Sequence, residues 1–184
     1  MKRRHRGFTL LELIIVLGIV GVVMTITSSF FFSGYFNMNK TEKKLDLQRS
    51  MQSIVRELEE VIRASIEIDT IEENRTKIYG FISNVKENNE IKSKSFIYYK
   101  DADSKLKGNS KIYDGLKSLV DHMKSLYEPS INKVICDNVE IFEIIKSGNS
   151  DFLEVKIILK DTFRGEEIRE KYSGRIYMRN QKDK

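Results

Sequence analysis

From Phe8 to Phe36 the chain is almost continuously apolar, and Glu12 is the only charged residue in that run. A helix over Leu13–Phe36 rises about 1.5 Å per residue and reaches roughly 36 Å. That exceeds the hydrocarbon core of a bilayer, about 30 Å thick. The preceding residues 1–7, MKRRHRG, are short, basic and polar. Basic flanks stay on the cytoplasmic side, so everything after Phe36 is expected outside. A buried helix of a cytosolic protein does not fit so long and uniform an apolar run.

An ordinary secretory signal and a plain membrane anchor share this pattern, and Glu12 argues against both. Ser28, Ser29 and Ser33 are small enough to mark a signal cleavage site, but no A-x-A pattern is present and the run outlasts a usual signal core. An acidic side chain deep in an apolar span costs about 2.5–3.5 kcal/mol on insertion scales, so it calls for a partner. A cut after Gly7 would create one. The new amine at Phe8 would lie one helical turn from Glu12, within reach of its own or a neighbouring copy's carboxylate.

The stretch Arg6-Gly7-Phe8-Thr9-Leu10-Leu11-Glu12-Leu13 resembles the cleavage and methylation motif of type IV prepilins and type II secretion pseudopilins. The resemblance implies that a membrane prepilin peptidase cuts after Gly7 and methylates Phe8, and that Glu12 guides the subunit into a growing filament. Weaker likenesses at Cys136–Phe142 and Arg175–Asn180 resemble the minor pseudopilin J branch and related minor pilins. One feature departs from many pilins: the only proline is Pro129, so no proline kinks the long helix, and Gly18 and Gly21 are left to loosen it.

Beyond Phe36 the chain turns polar without a strong helix breaker. Leu47, Met51, Ile54, Val55, Leu58, Val61 and Ile62 then recur in steps of three and four, an amphipathic stripe. Arg49, Arg56, Glu57, Glu59, Glu60 and Arg63 form the solvated side. The stripe is too short for a coiled-coil seam and is expected to lie on the chain's own domain.

Strand signals dominate afterwards, at Thr76–Ser83, Ser95–Tyr99, Val139–Ile145, Phe152–Lys160 and Ile168–Met178. Val155, Ile157 and Leu159 alternate with charged residues. Turns are expected at Ser147–Ser150 and Arg164–Glu167, a short helix at Gly115–Tyr127, and polar, mobile insertions at Lys86–Lys94 and Asp101–Lys111. The expected fold is α+β and pilin-like, a long N-terminal helix packed on a C-terminal antiparallel β-sheet. Its divisions are a cleaved leader (1–7), a transmembrane and assembly helix (8–36), an amphipathic continuation (37–65) and an exposed domain (66–184).

Four of the 32 basic residues sit in the leader, leaving 28 against 27 acidic ones, so the body is near neutral and offers no global case for nucleic acid. The lone Cys136, after Val134 and Ile135, reads as a buried structural thiol. His5 leaves with the leader. His122 falls on the polar side of the short helix and reads as solvated, and a Cys136–His122 dyad has no orienting group at a readable spacing. Asp101-Ala102-Asp103 is too short a cluster for calcium. Lys92, Lys94, Lys105, Lys107 and Lys111 read as a solvated loop rather than an acid-binding patch. No catalytic, cofactor or metal site is expected, and the chain is not read as an enzyme.

The resulting expectation is a structural subunit of a type IV pilus or a related secretion or competence pseudopilus, in a minor role. Its partners would be other pilin-type subunits, the prepilin peptidase, the pilus assembly machinery of the cytoplasmic membrane and the lipid bilayer. The precursor would be single-pass with a cytoplasmic N-terminus, and the assembled subunit would lie in a cell-surface filament. Rival readings are a major pilin, a filament-tip adhesin or DNA-uptake receptor, and an exported enzyme that uses the helix only as an anchor.

Overall fold

A computed structural model describes residues 9–87, 90–113, 118–146 and 151–179. Helix α1 runs continuously over Leu10–Ala64, through Gly18 and Gly21, for 55 residues. The chain forms two compact units, Met1–Glu42 and Lys43–Lys184. In the first, the large apolar side chains from Leu10 to Met38 are exposed, apart from half-buried Phe36. Several hydroxyls within this stretch bond the helix's own backbone. The hydroxyls of Thr25, Thr27 and Ser29 donate to the carbonyls of Gly21, Val23 and Thr25 at 2.9, 2.8 and 3.0 Å. Such back-bonding satisfies a hydroxyl where water is absent, which suits a span in lipid.

In the second unit, Leu47, Met51, Ile54, Leu58, Val61 and Ile62 of α1 are buried, as the stripe requires. Among the described residues, eight strands form two antiparallel sheets. The first is β1 (Ser65–Glu73), β2 (Thr76–Glu87), β3 (Glu90–Lys100), β4 (Leu106–Tyr113) and β5 (Lys133–Cys136), paired in that order. The second is β6 (Val139–Lys146), β7 (Phe152–Phe163) and β8 (Glu166–Tyr177). Helix α2, Leu119–Leu126, lies between β4 and β5 in the chain.

Alternation along β2 explains the layering. Tyr79 and Phe81 join Tyr98, Leu106, the α1 stripe and Leu153, Val155, Ile157 and Leu159 of β7 in one core. Ile78 and Ile82, on the other face, join Ile97, Tyr99 and the α2 residues Leu119, Met123 and Leu126 in a second. The five-stranded sheet is thus covered on both faces, so β2 reads as a continuous apolar run rather than an alternating one. The three-stranded sheet buries one face only, and the alternation of β7 follows.

Two expectations fail. Lys86–Lys94 and Asp101–Lys111 are not mobile insertions: the first lengthens β2 and β3, and most of the second is β4. Polar contacts replace hydrophobic patterning there, with Lys92 of β3 on Glu87 of β2 at 3.3 Å and Lys94 over the ring of Phe96 two residues along its own strand. β1 also lacks a forecast, because its acidic residues Glu67, Asp69, Glu72 and Glu73 mask the alternate isoleucines. The Ser147–Ser150 turn lies outside the described residues. The turn expected at Arg164–Glu167 is tighter: Arg164 and Gly165 alone connect β7 to β8, at φ of 53° and 84°, the left-handed pair that a two-residue hairpin needs.

Gly80 permits the approach of α2. A Cβ there would lie 2.3 Å from the Met123 Sδ, and Met123 is fully buried. Gly80→Ala is expected to cost about 1–3 kcal/mol by overpacking, read by denaturant unfolding. Met123→Ala should relieve the clash, so an equal penalty for Gly80→Ala in both backgrounds would contradict this packing.

Candidate assembly site at the start of the long helix

Thr9 precedes the first helical residue and acts as its cap. Its backbone carbonyl accepts from the N–H of Leu13 at 3.2 Å, and its Oγ1 accepts from the N–H of Glu12 at 3.3 Å. Thr9-Leu10-Leu11-Glu12 therefore has the S/T-x-x-E spacing of a capping box, in which the acidic side chain three residues after the cap points back toward the helix start. Glu12 lies in the first turn, where the positive end of the helix dipole favours a carboxylate. The residues expected to be cut and methylated, Gly7 and Phe8, lie outside the described residues. The Thr9 cap is a feature that the reading by residue types passed over, although its spacing is legible in the sequence.

Magnitudes indicate what the cap and dipole leave undone. The dipole favours a first-turn carboxylate by about 0.3–1 kcal/mol, against about 2.5–3.5 kcal/mol for an acid placed in the membrane core. Glu12 sits at the end of the span, where that cost is smaller, and a cation beside it would remove what remains. Within the Leu10–Ala64 helix, the apolar segment is long enough to cross a membrane by length and composition, and none of it is buried in the chain itself.

The other candidate groups are engaged in structure. His122 is not solvated: it is 1% exposed, stacks on Tyr113 at 3.8 Å between ring centroids, and lies with its Nδ1 3.0 Å from the Ser95 Oγ. The correction arises because α2 buries a broader face than its apolar residues mark out, reaching the small Ser95 of β3. Cys136 is buried as expected and its Sγ donates to the Asp137 carbonyl at 3.0 Å. Burial, and then the Asp137 charge, raises the thiol above its usual range, which disfavours the reactive thiolate. Cys136 belongs to the core on the α1 side of the five-stranded sheet, whereas His122 faces Ser95 on the α2 side, so the two form no dyad.

Asp101 binds Lys107, and its carboxyl is lowered chiefly by that contact. Lys107 also donates to the Pro129 carbonyl at 2.8 Å, and Lys111 lies over the Tyr113 ring. These lysines are held by local partners rather than gathered into one patch. Among the described residues no group of three or more His, Cys, Asp or Glu side chains is placed to hold a metal.

Residues 2–28 match the family model described as the prokaryotic N-terminal methylation motif. Comparison with curated proteins and with solved structures gave no match. The matched segment takes in the basic leader, Gly7, Phe8, the Thr9–Glu12 cap and the first part of the apolar helix. It marks a type IV prepilin-like N-terminus, a motif that implies processing by prepilin peptidase and assembly with other pilin-type subunits.

Proposed function

We propose that the chain is a structural subunit of a type IV pilus or of a related type II secretion or competence pseudopilus. Its leader, residues 1–7, is cut after Gly7 by prepilin peptidase, and Phe8 is N-methylated. Residues 8–36 hold the precursor in the cytoplasmic membrane with the leader inside. Residues 37–65 continue the helix, and 66–184 form the exposed domain. The pilus assembly machinery then draws the subunit out of the bilayer into a helical filament.

The observation that carries this reading is the position of Glu12. The methylation-motif match covers residues 2–28, and within it the Thr9 cap places Glu12 in the first helical turn. After the cut, Phe8 becomes the N-terminal residue just ahead of that cap, so its amine is created one turn from the only carboxylate of the apolar run. The same pairing works between copies: an amine at the start of one helix can meet Glu12 of the next, which links processing to assembly. A signal peptide, discarded after cleavage, has no use for such a pair.

Mass spectrometry of the mature N-terminus tests the processing step. The expected species begins with N-methylated Phe8, and an intact Met1 or a cut near Ser33 would remove the proposal. The number of copies in sheared filaments then separates the minor role implied by the resemblance from a major one.

A further inference from the structure

The five-stranded sheet has two open edges that fit each other. Among the described residues no strand pairs with the outer side of β1. At the opposite edge, β5 pairs only with Leu106–Gly108, and among the described residues no strand pairs with the outer side of Asn109–Tyr113 of β4. Beside that stretch runs a groove of about 420 Å³, lined by Glu57 of α1, Phe96, Tyr98, Ser110, Lys133 and Ile135. Exposed Ile112, Ile131 and Val134 occur on β4, β5 and the turn before β5. An open, partly apolar strand edge is a template for another strand.

From these edges we infer that a second copy of this chain docks its β1 along Asn109–Tyr113 of β4, joining the five-stranded sheets of neighbouring subunits edge to edge. The inference rests on the filament reading above and specifies one contact within it. Strand direction supports it first. Every neighbouring pair in the sheet is antiparallel, so β1 and β5 run the same way. A copy added in the same orientation therefore presents β1 antiparallel to β4, in line with β5, and no subunit has to be inverted. A contact between different surfaces of identical subunits propagates rather than closing at a dimer, as a polar filament requires.

Charge supports it second. β1 carries Glu67, Asp69, Glu72 and Glu73, all exposed, while the receiving edge carries Lys111 and Lys133. By register, Asp69 opposite Gly80 and Lys111 opposite Ser95 both lie on the α2 face, so they meet on one side of a joined sheet. Each edge is meanwhile closed by a short local bond that a pairing strand would replace. Asp69 Oδ1 accepts from the N–H of Thr70 at 2.7 Å, and Asn109 Oδ1 accepts from the N–H of Ser110 at 2.8 Å.

Oxidative cross-linking in assembled filaments tests the contact, using the full-length chain in a Cys136→Ser background. Lys111→Cys combined with Asp69→Cys, or with Glu67→Cys to cover the adjacent register, is expected to give a reducible ladder of dimers, trimers and larger species. Each single variant should stay monomeric. Monomer alone from both double variants, in filaments whose subunits carry methylated Phe8, would overturn the contact and leave the filament reading intact. Dimers from a single β1 variant would overturn it in favour of a symmetric β1–β1 pair. Loss of both methylated Phe8 and filaments in the unmodified chain would remove the filament reading, and this contact with it.

Discussion

Glu12→Ala is expected to leave the leader cut intact while lowering incorporation into filaments more than about tenfold. The cut depends on the residues around Gly7, and removing a carboxylate from the span eases membrane residence, so the precursor should accumulate in its processed form. Under the proposed role, assembly would lose the charge that pairs with the Phe8 amine. A loss of about 1.4 kcal/mol already corresponds to a tenfold change in an equilibrium. Glu12→Gln keeps the shape and loses the charge, so it should behave like alanine. Immunoblots of cell-bound and sheared fractions would measure both steps, and normal incorporation of either variant would refute the assigned role.

The second large effect lies in the body. Leu58→Ala is expected to destabilise the second unit by about 2–5 kcal/mol, the range for emptying a fully buried leucine site. Leu58 is 0% exposed and belongs to the core shared by α1, the five-stranded sheet and the three-stranded sheet. Denaturant unfolding of the full chain in detergent, followed by near-ultraviolet signals of the buried tyrosines, would report it. Val20→Ala serves as the contrast, because Val20 is exposed on the apolar part of α1 and should leave that transition unchanged. A Leu58→Ala loss below about 1 kcal/mol would place the structural centre of the body elsewhere.

Legibility followed the physical signal at each segment. The α1 stripe was readable because a helix with one buried face must repeat apolar residues every three or four positions, and Leu47 to Ile62 do. β7 was readable for the matching reason at period two. β1 and β4 were not: both are strands with many charged or polar residues, which hide the period-two pattern. β4 meets α2 where Asn109 bonds the Leu126 carbonyl and Tyr113 meets His122 and Ser125. Nothing local in Leu106–Tyr113 announces those partners. His122 was misplaced because a histidine on the polar side of a short helix reads as solvated until a serine and a tyrosine from two strands close over it.

At the N-terminus the sequence by itself determined most of what matters: the basic leader, the Gly7–Phe8 junction, Glu12 and the apolar span are linear features. Their chemistry depends on spacing along one helix and on the bilayer outside it, so no distant residue has to be known. The T-x-x-E cap belongs there too, since it spans a single turn. Tertiary structure decided the rest. Only long-range pairing made two sheets out of several short strand signals, left Cys136 and His122 on opposite faces of one of them, and exposed β1 and Asn109–Tyr113 as open edges. An open edge is defined by the neighbour that a strand lacks, and a linear sequence does not state which strands are neighbours.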